Sequence, residues 1–65
     1  MIQVLRVWPD QGVNVWYTVK EPLTLVNEHL AKVIAHWDSA AFWYQMSEYT
    51  WKNGETGERV ELVSV

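Results

Sequence analysis

The hydrophobic pattern of this chain changes period twice, and that change constrains the fold more than any single motif. Between residues 22 and 39, Val26, Leu30, Val33, Ile34 and Trp37 follow i, i+4, i+7, i+8 and i+11. At 3.6 residues per turn these positions fall in a stripe about 100° wide, the mark of a helix that packs on one side. The opposite side carries Glu28, His29, Lys32 and His36. Glu28 and Lys32 stand in the favourable i, i+4 order, worth about 0.2–0.5 kcal/mol. Thr24, after Pro22, is the expected N-cap, and Asp38 and Ser39 supply polar residues at the exit.

On both sides of this segment the period is two. Residues 2–8 are rich in β-branched and large apolar side chains, and Pro9, Asp10, Gln11 and Gly12 follow as a turn. Residues 13–19 read as the returning strand, with Val13, Val15, Tyr17 and Val19 on one side and Asn14 and Thr18 on the other. Residues 41–51 alternate again: Phe42, Tyr44 and Met46 on one side, Trp43, Gln45, Ser47, Tyr49 and Trp51 on the other. The Asn53-Gly54 pair is the strongest hairpin signal, because both residues accept positive φ. Residues 58–65 form the last expected strand, with Val60 and Leu62 joining Phe42, Tyr44 and Met46.

The expected architecture is α+β, a single small domain over residues 1–65 in the order ββαββ, with one helix covering one face of a four-stranded sheet. Two hairpins around one helix suggest a β-grasp-like arrangement, with first and last strands as parallel neighbours; an antiparallel meander is the alternative. Neither topology carries a function. The final residues Val63, Ser64 and Val65 are not the Gly-Gly pair of ubiquitin-like carriers, so thioester or conjugation chemistry is not expected.

Catalytic chemistry finds little support. The chain has 65 residues and no cysteine, so it has no disulfide, thiolate metal site or Cys nucleophile. His29 and His36 are seven residues apart on the helix, roughly 10.5 Å along its axis and too far to share one ion. Lys32 lies between them. Asp10, Glu21, Glu28, Asp38, Glu48, Glu55, Glu58 and Glu61 are scattered rather than paired, and a domain this small has little volume for a pocket that raises a carboxyl pKa. No phosphate-binding glycine run or nucleophile elbow is present. No enzyme activity, cofactor or metal is expected.

Formal charge is -3, which gives no footprint for a phosphate backbone, so nucleic acid is an unfavoured ligand. Acids near the C-terminal hairpin, against Lys52 and Arg59, admit a weak phosphate-mimic reading. No apolar run approaches the roughly 20 residues that span a bilayer, and the N-terminus lacks a signal-peptide pattern. A soluble, cytoplasmic protein with no membrane partner is expected.

The informative excess is aromatic: five Trp, three Tyr and one Phe. If the helix covers the face carrying Tyr17, Phe42, Met46, Val60 and Leu62, alternation turns Trp16, Trp43, Tyr49 and Trp51 to the uncovered face, with Trp8 beside them. Trp and Tyr are the residue types enriched at interface hot spots. The leading expectation is therefore a non-enzymatic protein-binding module of the kind phages and mobile elements use to bind and block a host enzyme. Its anchors would be Trp16, Trp43, Tyr49 and Trp51, and its acidic rim Glu48, Glu58 and Glu61. A structural or regulatory homodimer is the first alternative, and a single-stranded nucleic-acid binder that stacks bases on the same rings is the second. On the leading reading Trp43→Ala or Trp51→Ala weakens association with little loss of fold, whereas Leu30→Ala or Ile34→Ala destabilises by roughly 2–5 kcal/mol.

Overall fold

The computed structural model describes residues 1–65. Its strands are β1 (Ile2–Trp8), β2 (Gly12–Val19), β3 (Trp43–Ser47), β4 (Thr50–Asn53) and β5 (Arg59–Ser64), with a single helix, α1 (Leu23–Ala35), between β2 and β3. All five strands join one antiparallel sheet in the order β2-β1-β5-β4-β3. The helix therefore connects one edge of the sheet to the other and crosses its face on the way.

The α+β class and the single covering helix match the sequence pattern, but the strand count does not. Residues 41–51, read as one strand, are divided by a turn at Glu48 and Tyr49 into β3 and β4. That reversal also decides the topology. First and last strands are neighbours, as a β-grasp requires, yet β1 and β5 run antiparallel, because one additional turn inverts the direction of the final strand. Ends of the chain meet at the sheet centre, where the Val65 N–H donates to the Met1 carbonyl at 2.8 Å.

Turn chemistry also departs from the pattern. Gly54 does not adopt positive φ; Gly12 and Gly57 do, at 81° and 79°. The buried Asn53 instead uses its side-chain oxygen to accept the Glu55 and Thr56 N–H groups at 2.8 and 3.1 Å, an Asx-type turn. Gly57 finishes the loop with its open side against Pro9, where a Cβ would approach Cγ to 3.0 Å. At the helix start Pro22, rather than Thr24, holds the N-cap position and makes no side-chain cap. Its carbonyl accepts the Leu25 and Val26 N–H groups at 3.0 and 3.1 Å.

The helical stripe is buried as expected through Val26, Leu30 and Ile34. It lies on the sheet face formed by Ile2, Val4, Val60, Leu62 and Trp43. This is the opposite side of β3 from the one the alternation suggested: Trp43 is buried at 8% exposure while Phe42, Tyr44 and Met46 are 46–50% exposed. The register shows why. Trp43 stands opposite the buried Asn53, and Trp51 opposite the fully buried Val60, so the indoles of both strands share the helix side.

Only 9 of 65 residues are buried, so the core depends on half-buried rings packed around it, namely Tyr17, Trp37, Tyr49 and Trp51. Trp43→Ala is accordingly expected to destabilise the fold by about 3–5 kcal/mol, comparable with Leu30→Ala. Phe42→Ala should stay within about 1 kcal/mol. Urea unfolding followed by circular dichroism measures the three; a Trp43 variant as stable as the Phe42 variant would contradict the face assignment.

Candidate interaction surface

The inner side of the sheet is organised around a charge. Arg6 lies on β1 opposite Val60, on the helix side, and its guanidinium carbon sits 5.0, 4.9 and 5.1 Å from the ring centres of Trp8, Trp16 and Trp37. Cation–π attraction contributes about 0.5–2 kcal/mol per favourable ring, less than additively where one charge serves several. Arg6 Nη2 also donates to Glu58 Oε2 from the β4–β5 loop. Side-chain exposures of 22% and 13% leave this pair largely shielded from water. Burial lowers the Arg6 pKa from its ordinary value, but guanidinium basicity is so high that the charge persists. Arg6 Nε is buried without a hydrogen-bond partner.

The indoles continue this cluster. Trp16 and Trp37 lie 5.8 Å apart, and Trp37 meets Trp43 edge-on at 5.1 Å and 66°, within the favoured range for aromatic pairs. Trp43 Nε1 donates to Ser39 Oγ at 3.0 Å, and Trp51 Nε1 to Asn27 Oδ1 of the helix at 3.2 Å. Tyr17 meets Trp16 edge-on at 5.3 Å, and burial followed by the charge of Glu21 raises its pKa. The Tyr49 pKa is raised by desolvation, then by Glu48.

These positions correct the expected anchor set. Trp43 is interior, Trp51 and Tyr49 are half-buried beside the core, and Trp16 keeps 38% exposure while leaning on Arg6 and Trp37. Trp8 turns inward with Arg6. Nor do the three acids share a rim. Glu48 is exposed in the β3–β4 turn, where its carbonyl accepts from Gln45; Glu58 is bound inside to Arg6; and Glu61 lies 3.9 Å from Arg59 on the other side of the sheet.

Of the acids expected at the uncovered face Glu61 does lie there, but its apolar neighbours are not the expected rings. A bulge between Val4 and Leu5 pairs Val4 with Tyr17 but Leu5 with Val15. Trp16 is the extra residue, and it reverses the phase of β2. Tyr17 and Val19 consequently point to the core, whereas Val13 and Val15, of the same sequence parity, are 62% and 55% exposed. Two cross-strand rows result on the outer face. One runs Val13, Val7, Arg59, Lys52, Tyr44; the other runs Val15, Leu5, Glu61, Thr50, Ser47, with the bulged Met46 beside it.

Concave chemistry is sparse by comparison. The largest groove, of about 550 Å³, is open and polar, lined by residues that include Thr24, Glu28, Ser47, Glu48 and Tyr49. Neither histidine reaches it: both are exposed on the helix side away from the sheet. No three His, Asp or Glu side chains gather where they could hold a metal. No helix is long and apolar enough to cross a membrane. Comparison with known families, curated proteins and solved structures finds no match.

The Arg6 cluster has a measurable signature. Arg6→Ala should cost about 3–5 kcal/mol, because it strands Glu58 in a shielded site and removes the packing shared by three indoles. Arg6→Lys should recover only part of this, since an ammonium does not reproduce planar stacking. Chemical denaturation of the three proteins tests the order; equal stability for all would contradict the cluster's role.

Proposed function

We propose that this chain is a small non-enzymatic interaction module that works by placing its uncovered sheet face against another protein surface. The observation that carries the reading is the outer face itself: Val13, Val15, Tyr44, Met46 and Val63 are 38–62% exposed on a sheet whose only helix lies on the other side. Isolated apolar side chains at a surface need no explanation, whereas Val13 and Val15 continue into Val7 and Leu5 of the neighbouring strand, and an apolar patch on an uncovered sheet face is the pattern of a contact surface. Tyr44 contributes a large amphipathic ring of the type interfaces favour. Trp8, Trp37, Trp43 and Trp51 face inward, so Tyr44 is the single ring in the two outer rows; base stacking uses several successive rings, which favours protein over single-stranded nucleic acid as partner.

Photocrosslinking tests this directly. A photoreactive phenylalanine analogue replacing exposed Val15 should capture protein, either a second copy or a different chain, in the cells that make it. The same analogue replacing Lys32 on the helix's solvent side should not. No adduct from position 15, or equal yields from both positions, would overturn the reading.

A further inference from the structure

The two outer rows are complementary to each other, and that property singles out one occupant. We propose that the face pairs with a second copy of this chain, stacked face to face about a two-fold axis running along the rows, midway between them. This rests on the interaction reading above and names the partner.

The geometry follows from the register. A two-fold axis in that position lays each strand over its own counterpart, antiparallel, and places the first row of one copy above the second row of the other. Val13 and Val7 then lie over Val15 and Leu5, so the apolar half meets an apolar half. Arg59 lies over Glu61 and Glu61 over Arg59, so the central strand exchanges opposite charges twice. Lys52 lies over Thr50, and Tyr44 over the Ser47 and Met46 end of β3. No like-charged pair is opposed anywhere in the two rows. An axis parallel to the strands would instead set Arg59 on Arg59 and Glu61 on Glu61, which repel.

Stacked sheets stand about 10 Å apart, with interdigitated side chains between them. Arg59 and Glu61 already lie 3.9 Å apart within one copy, with side chains 39% and 32% exposed. A second copy thus converts a partly exposed pair into a four-charge ring shielded from water. Self-complementary use of one patch by both subunits is what closed two-fold symmetry demands.

Sedimentation velocity over about 5–500 µM tests the pairing, with far-ultraviolet circular dichroism to show that every variant is folded. The natural sequence should form a dimer of 7.6 kDa chains. Arg59→Glu alone and Glu61→Arg alone should each weaken self-association at least about tenfold, because like charges then face each other across the axis. Mixing the two variants in equal amounts should restore a dimer, identified by native mass spectrometry as the mixed species. That rescue separates contact between copies from the pair within one chain, which both variants lack. Should either reversal unfold the chain, Val13→Ser combined with Val15→Ser, at exposed edge positions, should also abolish the dimer. A monomeric natural sequence, undiminished association of the reversed variants, or failure of the mixture would overturn the proposal. Captured adducts of another chain at position 15 alongside a monomer would refute the second copy yet keep the interaction reading, whereas no adducts at all would remove both.

Discussion

Arg6 sits where the chain's aromatic excess becomes interior rather than exterior. Its guanidinium is close to Trp8 from β1, Trp16 from β2 and Trp37 beyond the helix, and it holds Glu58 from the loop before β5. A charge shielded to this degree is tolerable only when it is paired and packed, so four separate segments are drawn to one point. The consequence is an assignment of faces. Trp8, Trp16 and Trp37 gather around Arg6 while Trp43 and Trp51 pack against the core on the same side of the sheet, and the outer side is left to valines, a tyrosine and the Arg59–Glu61 pair.

A chain with so few fully buried residues cannot leave its largest side chains outside. Val4, Leu30 and Val60 form the dry centre, but they are modest in volume, and the surrounding rings supply much of the remaining apolar area. Polar handles on those rings are met locally, by Ser39 for Trp43 and by Asn27 for Trp51. Burying the rings therefore leaves neither indole N–H without a partner. The same economy that fills the core leaves the second sheet face without a cover of its own.

The helix was legible because it rests on a sustained period, with Val26, Leu30 and Ile34 buried where the stripe puts them; the first hairpin was legible from the turn residues between its β-rich segments, Pro9 to Gly12. What misled was phase. The bulge at Trp16 and the turn at Glu48 and Tyr49 carry no strong local signal, since neither contains Gly or Pro. Each shifts alternation or reverses direction, so an error of one residue moves an entire side-chain set across the sheet. Unbroken alternation puts Trp43 and Trp51 outside and Tyr44 and Met46 inside, the reverse of what the fold does. The backbone freedom of Asn53 signals a turn, but it is its side chain that organises the loop. Arg6 was indistinguishable from an ordinary strand cation until Glu58, 52 residues away, was brought beside it.

Methyl NMR with a soluble paramagnetic probe offers the most direct measurement, because it reports both faces in one sample. Val13 and Val15 methyl signals should broaden strongly in dilute protein and become protected as concentration rises, while Val26 methyls and the Trp43 indole proton stay protected throughout. Val13 and Val15 protected at every concentration, or a Trp43 indole as accessible as they are, would contradict the assignment of the covered and uncovered faces.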